Sequence, residues 1–245
     1  MQDEQKRMLR SLVVPGIFVL FMWLIKIVEV LVNIDLEGFG IMPLSWKGLP
    51  GILFAPLLHE NFSHLSANTL PFFFLSGLLF YFYRPIAWKI FWLIWVVTGF
   101  WVWVFARGDA VHIGASGVVY GLASFLFLSG ILRRDNRLMA ITLLIAFLYG
   151  GLVWGIFPQL FPHQPISWES HLMGLLAGLV LAIYYRNSEP HRKVYEWEAE
   201  DEEDDYEDDY ESDEGNPENN NPPPENTRQS GGTTYNYEYK DNRNA

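Results

Sequence analysis

The sequence predicts an all-α polytopic membrane protein, a six-helix bundle followed by a disordered acidic tail. Three observations carry this: six long apolar runs, a lopsided placement of basic residues between them, and a reversal of charge near residue 195. Residues 1–195 hold 14 Lys/Arg against 10 Asp/Glu, whereas residues 196–245 hold 3 against 18. The net charge of −11 and the mean hydropathy of +0.10 therefore average two unlike parts.

Crossing ~30 Å of hydrocarbon at ~1.5 Å per residue takes about 20 apolar residues. Runs near this length are Leu12–Val32, Leu65–Phe82, Ile86–Phe105, Ser116–Leu132, Met139–Phe157 and Trp168–Tyr185. The first follows Lys6, Arg7 and Arg10, as a signal peptide would. Its apolar part is too long for such a segment and no small-residue cleavage site follows, so it reads as a span.

Eleven basic residues flank one side of these spans: Lys6, Arg7, Arg10, Arg84, Lys89, Arg133, Arg134, Arg137, Arg186, Arg192 and Lys193. The other side holds only Lys47 and Arg107. Basic loops stay in the cytoplasm, so the count predicts an even number of spans with both termini inside. The expected organisation is a cytoplasmic N-terminus at 1–10, a membrane domain at 11–190 and a cytoplasmic tail at 191–245.

Glu196–Glu214 is acidic with interspersed Tyr, and residues 215–245 are rich in Asn, Pro and Gly. Such a composition cannot bury enough surface to fold. The tail is expected to be a solvated spacer or a docking segment for a basic cytoplasmic partner. The absence of cysteine excludes disulfides and thiolate metal sites.

With the N-terminus inside, the second, fourth and sixth spans all run from the outer face inward. Their N-terminal ends carry His64 and Asn68, Ser116, and His171 respectively. Polar side chains within spans are costly and face the bundle interior. His64 and Asn68 are four apart, as are Ser116 and Tyr120, so each pair shares one helix face. Gly117-xxx-Gly121 and Gly174-xxx-Gly178-xxx-Ala182 are small-xxx-small stripes that let membrane helices approach closely. Packing through these stripes would bring Ser116 within hydrogen-bonding reach of His171, the geometry of a nucleophile and its base.

Two nearby motifs fail on spacing. His59 and His64 are five apart, whereas the HExxH zinc signature needs four on one helix face, so no metal site is expected. Gly114-Ala-Ser116-Gly117-Val118 lacks the second glycine of the G-x-S-x-G elbow and follows no strand, which excludes an α/β-hydrolase.

Taken together, these residues resemble the rhomboid family of intramembrane serine proteases. Gly114-Ala115-Ser116-Gly117 is similar to its G-x-S-G motif and continues Val-Val-Tyr120, as in bacterial members. His171-Leu-Met-Gly174-Leu-Leu-Ala-Gly178 is similar to its histidine helix, and His64-Leu-Ser-Ala-Asn68 to its H-x-x-x-N pair. The resemblance implies a rhomboid-like six-span core with Ser116 as nucleophile and His171 as general base. It implies an oxyanion hole from the Ser116 N–H, His64 and Asn68, with Tyr120 packed against the base to orient it. His59 would have a packing or water-retaining role.

By the same resemblance, residues 34–63 form a partly embedded loop with Trp46, Leu49, Ile52, Leu53 and Phe54 at the interface. Phe161–Ser170 would be a cap that moves to admit substrate. Lys26 and Glu29, three apart in the first span, are expected to neutralise each other or contact the long first loop. Pro71 frees the Ala67 carbonyl and either shapes the oxyanion region or kinks the second span.

The expected activity is hydrolysis of peptide bonds in or near transmembrane segments of other membrane proteins, in a bacterial inner membrane. The partners expected are those substrates and the lipid bilayer; no cofactor and no nucleic acid is implied. The rival reading is a catalytically silent rhomboid-like protein that binds membrane clients. A small-solute transporter would call for an inverted repeat, and none is found.

Overall fold

The computed structural model describes residues 2–108, 110–148 and 167–188. Among these, seven helices are present and no strand beyond a single antiparallel bridge between Ile41 and His112. They are α1 (Gln2–Val32), α2 (Gly51–Phe54), α3 (Phe62–Phe82), α4 (Ala87–Phe105), α5 (Ser116–Leu132), α6 (Asn136–Leu148) and α7 (Trp168–Tyr184). Short 3-10 turns at Glu37–Phe39, Trp46–Gly48 and Ala55–Leu57 punctuate the loop before α3.

The helices follow the apolar runs closely, with α5 starting at Ser116 and ending at Leu132 as expected. α1 begins ten residues before its apolar run. Its first turns are held by polar contacts: Arg7 Nη2 donates to the Tyr81 carbonyl at 3.0 Å and stacks over the Tyr81 ring, whose hydroxyl donates to Glu4. The fifth expected span starts three residues early, at Asn136, because the Asp135 carboxylate accepts from the Arg137 and Leu138 N–H groups and caps the helix. Its remainder to Phe157 lies outside the described residues, as do most of the expected cap loop and the acidic tail.

α1, α3 and α4 are long and apolar enough to cross a membrane, while α5, α6 and α7 are shorter apolar helices. Outward faces are hydrophobic: Leu20, Phe21, Leu24, Phe74, Trp88, Phe100 and Val180 are all exposed. In water such a surface would be an aggregation patch; facing lipid it costs nothing. The chain is an integral membrane protein.

The core is rich in aromatic side chains. Trp95, Tyr83, Phe72, Phe91 and Phe125 are fully buried. Phe18 of α1 inserts among Phe72, Phe91, Trp92 and Trp95 at centroid distances of 5.1–6.2 Å, which docks α1 onto α3 and α4. Between α1 and α3, Trp23 Nε1 donates to Thr69 Oγ1 at 3.0 Å.

Among the described residues, the most extensive helix–helix contact is that of α5 with α7. A methyl group at Gly174 would overlap the Gly117 carbonyl, and one at Gly178 would overlap the Gly121 carbonyl and Ser124 Oγ. Backbones in this contact gain dispersion along their whole length, the main attraction available between helices in lipid. Ser124 Oγ locks the pair by donating to the Leu175 carbonyl at 2.9 Å.

Candidate active site

Ser116 is the first residue of α5, where the helix N-terminus leaves backbone N–H groups without intrahelical partners. Its hydroxyl is 2.9 Å from His171 Nε2, across a gap of 55 residues in sequence. The glycine stripes set this distance, because they bring the α5 and α7 backbones together one turn further in. His171 is buried, and its ring stacks on Tyr120 with centroids 4.3 Å apart and planes inclined by 16°. Tyr120 lies one turn below Ser116, so one helix carries both the hydroxyl and the plate against which the imidazole rests.

His64 and Asn68 come from the first turns of α3. Asn61 caps that helix by accepting from the His64 N–H at 2.8 Å. Asn68 is buried, and its amide donates to the His64 carbonyl at 3.1 Å. Both side chains lie against Gly114, two residues before Ser116. Gly114 has a φ of +110°, and a Cβ there would stand 2.8 Å from the His64 ring and 3.8 Å from Asn68 Nδ2. Only glycine both adopts this backbone and leaves space for the imidazole. The Gly114 N–H donates to the Ala55 carbonyl at 2.8 Å, which fixes the loop.

The polar residues expected at the site thus gather around His171: Ser116 and Tyr120 both contact its ring, and His64 and Asn68 lie against Gly114, two residues before Ser116. Gly117 faces the Ser170 carbonyl, and Gly174 and Gly178 form the α5–α7 seam.

His59 is buried against His64, with ring centroids 5.1 Å apart and edge-to-face. Neither of its nitrogens has a hydrogen-bond partner among the described residues. Burial first, then the neighbouring His64 and the charge of Lys26, lower its pKa to about 3, with the Leu57 backbone opposing only in part. His59 is thus a neutral ring beside the site.

Lys26 and Glu29 form a pair at 3.1 Å, and Lys26 Nζ also donates to the Glu60 carbonyl at 2.8 Å. Mutual neutralisation and contact with the first loop therefore both occur. The carbonyl so held adjoins Asn61, the cap of α3.

A further polar cluster was not foreseen from the sequence. Arg107 Nε pairs with the buried Glu169, and the Arg107 guanidinium lies 6.0 Å from the Trp168 ring. The His112 ring contacts Ser167 Oγ at 2.6 Å and the Arg107 carbonyl at 3.5 Å, and Ser167 Oγ is 2.7 Å from Ser170 Oγ. These residues lie in the loop before Ser116 and in the turn before His171.

The bundle and its gathered side chains define a class first: a polytopic helical membrane protein with a serine–histidine pair at the ends of two tightly packed helices. Sequence relatives narrow it. The Rhomboid domain profile matches residues 46–188, more than half of the chain. An uncharacterized protein of Mycobacterium tuberculosis is 37% identical over 186 residues, covering 72% of this chain and 75% of its own. One from Mycobacterium leprae is 32% identical over 206 residues, 78% of each. A protein of Acanthamoeba polyphaga mimivirus, named as a rhomboid protein, is 30% identical over 132 residues, 52% of this chain and 70% of its own. The chain belongs to the rhomboid family.

Proposed function

We propose that this protein is an intramembrane serine endopeptidase that cleaves peptide bonds in or near transmembrane segments, with Ser116 as nucleophile and His171 as general base. The observation that carries the reading is the 2.9 Å contact between Ser116 Oγ and His171 Nε2, with the imidazole stacked on Tyr120. A silent scaffold would have no need of a buried, oriented imidazole at hydrogen-bonding distance from a hydroxyl.

Ser116 Oγ attacks the scissile carbonyl carbon while its proton passes to His171 Nε2. The carbonyl oxygen becomes an oxyanion, stabilised by the Ser116 N–H at the positive end of α5 and by donors from His64 and Asn68. Collapse breaks the C–N bond, and His171 returns its proton to the leaving amine. Water then gives a proton to His171 and attacks the acyl-Ser116 ester; the new acid departs and Ser116 recovers its hydrogen. Tyr120 keeps the ring in plane throughout.

Membrane placement supports the substrate class. α5 has 17 residues, about 25 Å at ~1.5 Å each, against ~30 Å of hydrocarbon. A helix this short supports a position for Ser116 below the surface, out of reach of soluble chains. Basic-residue placement supports an orientation with both termini cytoplasmic and the site toward the outer face, in a bacterial inner membrane, and an acidic cytoplasmic tail suited to a basic partner.

The test is cleavage of a transmembrane peptide by the protein in proteoliposomes, with Ser116→Ala and His171→Ala beside it. Loss of cleavage in both variants is expected. A native chain that binds the peptide without cutting it favours the silent, client-binding role.

A further inference from the structure

Two arms tie the loop that delivers Ser116 to the first turn of the helix that carries His171. One is ionic: Arg107, two residues after the end of α4, pairs with Glu169, whose carboxylate is almost wholly buried. Breaking such a pair from one side strands a buried charge. The other is a chain of hydrogen bonds. The His112 ring joins the Arg107 carbonyl, 3.5 Å from Nε2, to Ser167 Oγ, 2.6 Å from Nδ1. Ser167 Oγ is in turn hydrogen-bonded to the hydroxyl of Ser170, the residue before His171.

His112 is itself anchored. Its N–H donates to the Ile41 carbonyl and its carbonyl accepts from the Ile41 N–H, both at 2.9 Å. The ring is buried. Thus the loop before α5, the segment around Ile41 and the start of α7 meet at one residue, four positions from the nucleophile. The Ser170 carbonyl stands against Gly117, so any shift of the α7 first turn is transmitted to the α5 backbone at Ser116.

We propose that Arg107 and His112 are positioning residues of the Ser116–His171 pair: they hold the first turn of α7 in the register at which the imidazole meets the hydroxyl. This rests on the protease reading for its kinetic consequence, though not for the brace itself. Neither residue touches the reacting atoms; both act through Glu169, Ser167 and Ser170. A displacement of ~1 Å at a reacting centre costs on the order of 10²-fold in rate, so loss of either arm is expected to lower kcat at least tenfold.

The test uses the full chain in proteoliposomes, with Arg107→Met and His112→Phe to cut each arm and Arg107→Lys and His112→Asn to keep its charge or its hydrogen bonding. Cleavage kinetics are read together with the imidazole 15N resonance of His171, assigned by its loss in His171→Gln, and with the melting temperature. The expected result is a tenfold or greater fall in kcat with KM within about twofold, a displaced His171 resonance, and recovery of both in the conservative variants. Native kcat and an unmoved resonance in the arm-cutting variants would overturn the proposal. So would losses that track melting temperature and do not recover with Lys or Asn. If the native chain cuts nothing, the protease reading fails, and the His171 resonance alone decides the brace.

Discussion

Gly174→Ala is the sharpest perturbation of the site that leaves every polar residue in place. The added methyl would fall on the Gly117 carbonyl, more than ~1 Å inside the ~3.5 Å at which non-bonded atoms rest. The neighbour is backbone, so neither a rotamer change nor a flexible tip can relieve it. The helices must separate by at least about 1 Å at this level. Since Gly174 is three residues from His171, the 2.9 Å contact with Ser116 would open toward 4 Å, past the limit of a hydrogen bond. A loss of about 10²-fold in kcat is expected. Gly38→Ala is the control, because nothing lies within 4 Å of the position a methyl would take there. The assay is peptide cleavage in proteoliposomes alongside the rate of Ser116 labelling by a fluorophosphonate, with circular dichroism to confirm the helices. Labelling within twofold of native in a folded Gly174→Ala protein would refute the idea that the α5–α7 seam sets the Ser116–His171 distance.

Other outcomes follow from individual contacts. Tyr120→Phe keeps the ring stacked on His171 and is expected to retain most of kcat, whereas Tyr120→Ala should lose about 10-fold or more; equal rates would remove Tyr120 from the site. His64→Ala and Asn68→Ala should each lower kcat by roughly 10²–10³ with little change in KM, as loss of an oxyanion donor does; a change confined to KM points to substrate binding instead. His59 takes a proton below its ordinary value of 6.5 when unfolded but only near 3 when folded. Its contribution to stability is therefore full above pH 6.5 and declines as the pH falls toward 3. Melting curves of native and His59→Phe proteins should diverge in that window, with the native chain falling more steeply; parallel curves would contradict a buried neutral His59.

Much of the site was readable because its parts obey local rules. The stripes at Gly117/Gly121 and Gly174/Gly178 follow a fixed four-residue spacing, and that spacing aligns Ser116 with His171 whatever the loops between them do. His64 and Asn68 sit on one helix face for the same reason. Span boundaries were legible wherever an apolar run met a polar loop, as at Ser116 and Leu132. The start of α1 was not, since Glu4, Arg7 and Tyr81 extend that helix through contacts between residues more than seventy positions apart.

The Arg107–Glu169 and His112–Ser167 contacts were hidden for a related reason: partners 62 and 55 residues apart share no periodicity, and each residue alone reads as an ordinary loop side chain. Lys26 lies between these cases. Its need for a partner was evident from burial cost, and Glu29 supplied one by spacing, but the Glu60 carbonyl became visible only when α1 was packed beside α3.

The central claim is that Ser116, activated by His171, attacks peptide bonds within the membrane. Its most direct measurement is mass spectrometry of the purified protein incubated with a transmembrane peptide carrying a serine-reactive phosphonate at the scissile position. The expected result is a single covalent adduct on Ser116, absent in His171→Ala and accompanied by loss of peptide cleavage. An adduct on another residue, or cleavage that persists in Ser116→Ala, would contradict it.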